Sequence, residues 1–143
     1  MLLLAAVALA LVAAGCGGDG KKAPSKAEFL RKGNAICAAG NREIDAGAKK
    51  MFGTGNNKRP SASQIKEFAT DVALPSVERQ VGQLKKLTPP KGDEDKVKEI
   101  LDAADQGLAK AKQDPASLAA AGGGPFERAN QLANAYGLRV CGS

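Results

Sequence analysis

The stretch "SKAEFLRKGNAICAAGNREIDAGAKKM", residues 25–51, decides the fold class of this chain. Its larger apolar side chains fall at helical spacing, so they share one face of a helix. Ser25 and Glu28 have the spacing of a capping box, in which two side chains satisfy backbone groups at a helix start. We therefore predict a helix from Lys26 to about Met51. The predicted face consists of Phe29, Ile36, Cys37, Ile44, Met51 and Phe52.

A second helix is predicted to start near Ser61, where Gln64 completes another capping box. Its apolar face continues at helical spacing through position 84. Pro75 lies inside this face, and proline lacks the backbone N–H that a helix interior uses. We therefore predict that Pro75 kinks the helix or divides it in two. The predicted face consists of Ile65, Phe68, Val72, Val77, Val81 and Leu84.

Two further helices follow the stretch "TPPKGD", residues 88–93. Asp93 is expected to cap the third helix. The last helix is expected to begin with Pro125 in its first turn and to end at a left-handed Gly137. The segment 114–125 between them allows a short helix of one or two turns. The apolar faces comprise Val97, Ile100, Leu101, Ala104, Leu108 and Ala111, and then Phe126, Ala129, Leu132, Ala133 and Tyr136.

These segments predict an all-α fold, because no segment shows the period of two that a half-buried strand requires. Four principal helices with short breaks indicate a small four-helix bundle with a kinked second helix, formed by residues 26–143 as a single domain. Leu, Ile, Val and Phe make up less than about 20% of the chain after its first fifteen residues, a share that leans towards disorder. Because the apolar positions are periodic and alanine fills many of them, we expect a thin helical core that needs a covalent staple.

The composition disfavours several classes of function. The 143 residues include no His, no Trp and one Tyr. Without His the chain lacks the usual general base and the commonest metal ligand, so we expect no enzyme, no metal and no other cofactor. The net charge of +6 suits either nucleic acid or an anionic membrane. The scarcity of aromatic rings disfavours nucleic acid, because single strands bind by stacking on such rings.

The apolar run Leu2–Ala14 predicts a targeting segment. Its thirteen residues carry no charge, whereas a membrane-spanning helix needs about 20 residues. The run has the length and the small closing residues of the apolar region of a secretory signal peptide. We therefore expect residues 1–15 to be a signal peptide that directs export of the chain.

The sequence "AAGC", residues 13–16, resembles the lipobox of bacterial prolipoproteins. The resemblance implies lipidation of the Cys16 thiol, cleavage before that residue, and anchoring at the extracytoplasmic face of the cell membrane. Two features depart from the family pattern: Ala13 stands where the family prefers Leu, and no Lys or Arg precedes the apolar run. The second departure indicates a true start upstream of Met1 or a fragment. An ordinary signal peptide with a chance cysteine is the alternative.

Residues 16–25 are predicted to form a flexible tether, because they lack large apolar side chains and helical period. Five basic residues lie close to the expected anchor, and each basic group near an anionic lipid surface contributes roughly 1 kcal/mol of binding. They are either membrane contacts or a solubilising tail. These residues are Lys21, Lys22, Lys26, Arg31 and Lys32.

The cysteine count of three resolves into one lipidation site and one pair. If Cys16 carries lipid, Cys37 and Cys141 remain, and export places them in an oxidising compartment where disulfides persist. A bond between them would close a loop of roughly 100 residues and stabilise the fold by about 4–5 kcal/mol on the chain-entropy model. Two free thiols are the alternative. A redox pair is disfavoured, because no CxxC motif or neighbouring His exists to lower a thiol pKa.

The stretches "FLRKGNAICA", residues 29–38, and "ANAYGLRVCG", residues 133–142, together resemble an uncharacterised group of small lipoproteins from high-GC Gram-positive bacteria. In that group a cysteine of the first helix and one at the end of the chain recur around an Ala-rich helical body. The resemblance covers most of the mature chain and implies the fold, the disulfide and the location. It implies no activity.

Two groups of charged residues resemble binding sites only in composition. Carboxylates at i, i+3 and i+6 of the third predicted helix would suit a divalent cation, but the interleaved lysines favour a solvated face. Basic residues around the first interhelical loop would suit an anionic wall polymer or a lipid head group, but a solvated surface is again favoured. The carboxylates are Glu99, Asp102 and Asp105, and the basic residues are Lys49, Lys50, Lys58, Arg59 and Lys66.

The sequence therefore predicts a lipid-anchored helical module at the cell envelope with a binding or scaffolding role. Its expected partners are the membrane, an anionic lipid or cell-wall polymer, or a protein. The alternative is a carrier or sensor of a small hydrophobic or anionic ligand held in the helical bundle. An apolar cavity of a few hundred Å³ would favour the carrier, and a filled core would favour the scaffold.

Overall fold

The structure is a computed structural model that describes residues 23–54 and 59–143. Within those ranges the chain is helical and forms no strand, which confirms the predicted all-α bundle. None of the helices in the described ranges is both long and apolar enough to cross a membrane. The α-helices are α1 (Lys26–Phe52), α2 (Ala62–Phe68), α3 (Leu74–Leu84), α4 (Glu94–Gln113) and α5 (Glu127–Tyr136).

A π-helical turn, Ala69–Ala73, joins α2 to α3 in one helical rod. Pro75 lies just after this turn. A proline inside an α-helix leaves the carbonyl four residues earlier without its donor, and its ring clashes with that carbonyl. The turn uses the wider i→i+5 hydrogen bond, from the Leu74 N–H to the Ala69 carbonyl, and this spacing accommodates the ring. The kink or division predicted at Pro75 is therefore a local change of helical pitch, and the rod is unbroken.

Small residues on α1 allow the α2–α3 rod to approach it closely. A Cβ atom placed on Gly47 would lie 2.4 Å from Cγ1 of Val72, which is closer than real contacts allow. At Gly40, the buried Ser76 donates its hydroxyl proton to the glycine carbonyl, with 3.2 Å between the oxygens. A short serine side chain reaches a neighbouring helix backbone only where two helices are very close. These two glycines therefore set the separation between α1 and the rod.

The two predicted capping boxes differ in completeness. At α2, the Ser61 hydroxyl accepts from the Gln64 N–H and the Gln64 side chain accepts from the Ser61 N–H, so this box is confirmed. At α1, the Ser25 hydroxyl accepts from the Glu28 N–H. The Glu28 carboxylate does not return the bond but pairs with Lys32, 2.6 Å away. The box at Ser25 is half formed, because an i,i+4 ion pair competes for the carboxylate.

Asp93 precedes α4 as predicted, but its side chain does not cap the helix. Its Oδ1 accepts from Lys96 Nζ at 2.9 Å, and its Oδ2 accepts from the Tyr136 hydroxyl at 2.9 Å. The prediction of a side-chain cap is therefore wrong, because the carboxylate of Asp93 is used to link α4 to α5. The neighbouring Glu94 instead accepts from the Gly92 N–H at 2.6 Å.

The last helix begins later than predicted. Pro125 lies in a 3₁₀ turn and α5 starts at Glu127, because the three glycines before the proline have φ values between 50° and 90°. The end of the helix is as predicted. Gly137 is left-handed, with φ 114°, and the Leu138 N–H donates to the Ala133 carbonyl at 2.8 Å, which is the Schellman arrangement.

The core is small and contains two packed aromatic rings. Phe29 and Tyr136 are both buried and meet edge to face, with ring centroids 6.1 Å apart. Alanine holds many of the other buried positions, as the sequence predicts. The buried alanines are Ala69, Ala73, Ala104, Ala111, Ala129 and Ala133.

Candidate ligand cavity

The disulfide predicted between Cys37 and Cys141 is present, with the two Cα atoms 5.1 Å apart. This separation is normal for bridged cysteines. The bond joins α1 to the segment that follows α5, across 104 positions of sequence. It therefore holds that segment against α1.

Asn34 fixes the same segment through hydrogen bonds. Its Oδ1 accepts from the Val140 N–H at 3.0 Å, and its Nδ2 donates to the Gly137 carbonyl at 3.4 Å. Leu138 is buried above Gly33, where a Cβ atom would lie 2.6 Å from the leucine Cδ2. The role of Asn34 was not predicted, because the sequence shows only a polar residue beside the apolar face of α1.

An apolar cavity of about 330 Å³ lies beside this disulfide, among α1, the α2–α3 rod, α4 and α5. Cys37 and Cys141 form part of its wall. Its volume falls in the range of about 300–1,000 Å³ that small-molecule sites occupy. The larger apolar side chains of the wall include Ile44, Ile65, Phe68, Ile100, Leu118 and Phe126.

The cavity exists because alanine occupies several inward-facing positions. Three helical elements each place a buried alanine in the wall: Ala73 on the rod, Ala104 on α4 and Ala133 on α5. Larger aliphatic side chains at such positions normally fill a core to the density of an organic crystal. Methyl groups alone leave a void unless the helices collapse onto it. The thin core inferred from composition is thus a hollow one.

Three carboxamide side chains, those of Asn41, Gln80 and Asn130, line the same cavity, and none of the described lining side chains is charged. Gln80 lies flat on α1, since a Cβ atom on Gly40 would be 2.0 Å from its Nε2. Asn130 packs similarly on Gly123, whose Cβ atom would be 2.7 Å from its Nδ2. The cavity therefore offers apolar contact and neutral hydrogen bonds.

The cavity reaches solvent beside the 3₁₀ turns that connect α4 to α5. Ala119, Gly123 and Ser143 belong to its wall and are exposed. Val81 and Ala133 belong to the same wall and are buried. The cavity thus extends from the surface at these turns into the core of the bundle.

The Asp93–Tyr136 pair carries the largest electrostatic perturbation among the described groups. Burial, together with the hydrogen bond and charge of Asp93, raises the pKa of Tyr136 to about 12. Hydrogen bonds from Lys96 and Tyr136 lower the pKa of Asp93. Neither side chain of the pair lines the cavity. The pair therefore joins α4 to α5 and has a structural role.

Three of the predicted membrane contacts lie at the start of α1. Lys26 places its Nζ 4.3 Å from the centroid of the Tyr136 ring. Lys32 is paired with Glu28, and Arg31 is exposed. The predicted lipidation site Cys16 and the basic residues Lys21 and Lys22 lie outside the described residues.

The acidic group on α4 is distributed over three separate ion pairs. Each carboxylate binds a different basic side chain at 2.5–2.7 Å, so the three do not converge. The described residues contain no group of three His, Cys, Asp or Glu that is arranged to hold a metal ion. The pairs are Glu99–Arg128, Asp102–Lys98 and Asp105–Lys85.

The basic residues near the first interhelical loop form a solvated surface where they are described. Lys49 and Lys50 lie in the last turn of α1, Lys66 lies on α2, and all three are exposed. Arg59 is also exposed, and Lys58 lies outside the described residues. None of the four described side chains lines the cavity.

No protein-family model, curated protein or solved structure matches this chain. The fold and the cavity themselves define its class: a small helical bundle, stapled by one disulfide, with an apolar cavity in its core.

Proposed function

We propose that this chain is a lipid-anchored, extracytoplasmic carrier or sensor that binds a small hydrophobic ligand inside its helical bundle. The observation that carries the proposal is the apolar cavity of about 330 Å³. Of the two functions expected from the sequence, a filled core would favour the scaffold, and a cavity favours the carrier. The cavity is concave and mostly apolar, and a few polar groups line it, as is usual for small-molecule sites.

Binding in this cavity would be driven by apolar burial. Removing apolar surface from water contributes roughly 25 cal/mol per Å². The wall is held in place by the disulfide and by the bonds of Asn34. A preformed wall lowers the cost of ordering side chains on binding. A modest ligand area is therefore sufficient for measurable affinity.

The anchor rests on the sequence around Cys16. A lipid there would place the domain at the end of a tether with a root-mean-square length of roughly 15–18 Å. A lipid-soluble molecule would then reach the cavity over a short distance from the membrane. Export and anchoring thus agree with a ligand that partitions into lipid.

The hydrocarbon p-xylene tests the cavity directly, because dry apolar cavities bind small aromatic hydrocarbons. We expect p-xylene to shift the methyl NMR signals of Ile65 and Ile100, which line the cavity. The methyl signals of Val97 and Leu132, which do not line it, serve as internal controls. If no lining methyl responds, the carrier is overturned and the scaffold remains.

Filling the cavity should abolish this binding. Ala104→Leu places three more carbons in the void, and we expect it to raise the free energy of unfolding by about 0.5–2 kcal/mol while p-xylene binding is lost. In a filled core the same change would cost about 1–3 kcal/mol by overpacking. Ala109→Leu, on the exposed side of α4, is the matched control and should keep the p-xylene response.

Membrane fractionation tests the anchor separately. We expect Cys16→Ser protein to leave the membrane fraction, since the thiol that would carry the lipid is gone. Ser25→Ala, a change at the other end of the tether, should leave the distribution unaltered. Membrane retention of the Cys16→Ser variant would contradict the lipid anchor but would leave the proposed ligand binding in the cavity unaffected.

A further inference from the structure

We infer that the ligand is an uncharged amphiphile, whose apolar chain fills the cavity and whose polar end hydrogen-bonds to the carboxamides of Asn41, Gln80 and Asn130. The polar end would be a hydroxyl, an ester or an amide. This inference rests on the proposed function and adds the chemical class of the ligand. It starts from the carboxamide side chains in a mostly apolar wall.

The three carboxamides lie around the disulfide. Asn41 follows Cys37 by one turn of α1, so the two side chains share a face. Gln80 lies on the backbone of Gly40, next to Asn41. On the opposite side of the bond, the backbone of Asn130 lies against Gly142, because a Cβ atom there would be 2.6 Å from the Asn130 carbonyl oxygen. Asn41 and Gln80 are thus neighbours on one side of the disulfide, and the backbone of Asn130 lies on the other side.

One of the three carboxamides, that of Asn130, lies near the opening. Asn130 packs on Gly123, which is exposed. Ile65 and Phe68 of α2 are apolar parts of the same wall. A ligand with a polar end and an apolar chain would match both parts of the wall.

The amides of Gln80 and Asn130 are available to such a ligand. Neither side chain makes a hydrogen bond to another group within the described residues. Every fully buried side-chain nitrogen and oxygen there has a partner, so the unpaired amide atoms of Gln80 and Asn130 are not fully buried. Both amides are therefore reachable by a bound molecule. A carboxamide donates and accepts, so it suits a hydroxyl or an ester carbonyl equally well.

The described wall has no charged side chain, which disfavours ligands with ionic ends. A carboxylate, phosphate or ammonium in this cavity would lose its hydration without gaining a counter-charge, and burial of an unpaired ion is strongly unfavourable. A neutral polar group needs only the hydrogen bonds that the carboxamides supply. The wall therefore selects against fatty acids and cationic lipids of the same chain length.

The volume sets the length of the chain. At the roughly 30 Å³ that one water occupies in the liquid, the cavity has room for about eleven heavy atoms. 1-Decanol has this size, and decanoate and decylammonium carry the same chain with a negative or a positive end. These three ligands therefore separate head-group charge from apolar burial.

Calorimetric titration of the folded protein with the three ligands tests the inference. We expect 1-decanol to bind at least about tenfold more tightly than decanoate or decylammonium. Equal or tighter binding of either ion would overturn the inference while leaving the cavity's function intact. If none of the three binds and p-xylene shifts no methyl signal, the proposed function fails as well.

Apolar replacement of the carboxamides provides the second arm. Gln80→Met and Asn130→Leu keep side-chain size, and we expect each to weaken 1-decanol binding by about threefold to tenfold, the value of one neutral hydrogen bond. Because both changes make the wall more apolar, p-xylene binding should not weaken along with 1-decanol binding, and urea unfolding checks that each variant keeps its fold. Gln83→Met, on the exposed side of α3, should alter the binding of neither 1-decanol nor p-xylene. Unaltered 1-decanol binding in both carboxamide variants would overturn the assignment of the polar end.

Discussion

Single polar side chains connect elements of this bundle where apolar packing is thin. Asn34 holds the segment after α5 on α1, and Asp93 reaches Tyr136 across 43 positions of sequence. One neutral hydrogen bond adds only about 0.5–1.5 kcal/mol of net stability. Such residues therefore matter mainly because they fix how the helices are placed.

The single tyrosine reports on one of these links. We expect Tyr136 to titrate with a pKa of about 12 in the folded protein, in place of 10.0. Because folding raises this pKa, its contribution to stability is complete below pH 10 and is lost as the pH rises from about 10 to about 12. Near-ultraviolet tyrosinate absorbance measures the ionisation, and circular dichroism measures the unfolding that accompanies it.

Asp93→Asn is the companion variant for this titration. It removes the carboxylate charge and keeps the burial of the ring, which is the larger cause of the shift. The pKa of Tyr136 should then lie below the wild-type value and above 10.0. A midpoint identical to that of the wild type would show that Asp93 does not act on the hydroxyl.

At the scale of elements, the α2–α3 rod contains one feature that depends on neighbouring residues alone and one that depends on packing against another helix. The capping box of Ser61 and Gln64 was predictable, because it involves one turn of chain and no distant partner. The position at which Pro75 would disturb the helix was predictable, but the type of distortion was not. A kink, a break and a π turn all relieve the same clash, and the choice depends on how Val72 packs on Gly47 of another helix.

The complete capping box should contribute more than the half-formed one. We expect Ser61→Ala to lower the free energy of unfolding by about 1 kcal/mol, because the first turn of α2 loses a hydrogen-bond acceptor. Ser25→Ala should cost less, since its Glu28 partner is paired with Lys32. Urea unfolding measures both variants. An equal or larger loss at Ser25 would contradict the role of the reciprocal bond.

The disulfide and the residue types of the candidate site were predictable, but the arrangement of these residues in space was not. The pairing of Cys37 with Cys141 was predicted from the number of cysteines and from the expected export of the chain, and the alanine content indicated a thin core. The cavity itself requires that Ala73, Ala104 and Ala133 face one another from three helices. Helical periodicity assigns each alanine to a face but does not say which faces meet. The same limit applies to the three carboxamides.

At the scale of the whole molecule, the disulfide and the cavity act in opposite directions on stability. A void in the core removes packing contacts, whereas the cross-link lowers the entropy of the unfolded chain. Total stabilities of small domains are only about 5–15 kcal/mol. A hollow bundle of this size is therefore expected to depend on its cross-link more than a filled one would.

Loss of the disulfide should accordingly have a large effect. We expect the double variant Cys37→Ser and Cys141→Ser to lose about 4–5 kcal/mol in the free energy of unfolding. Its p-xylene affinity should also fall, because Cys141 is part of the cavity wall. Urea unfolding and methyl NMR measure the two effects. Reduction of the wild-type protein should reproduce them, and a loss below about 1 kcal/mol would contradict the stapling role.

The bond between Cys37 and Cys141 also closes most of the polypeptide into a covalent ring. One cut of the backbone between the two cysteines opens this ring without releasing a fragment. Cleavage at the exposed Gly122 or Gly123 would leave both pieces joined to the start of α1, and so to any tether that precedes it. A nicked molecule would thus migrate as one chain without reductant and as two with it, and a single cut between the two cysteines would not shed the domain.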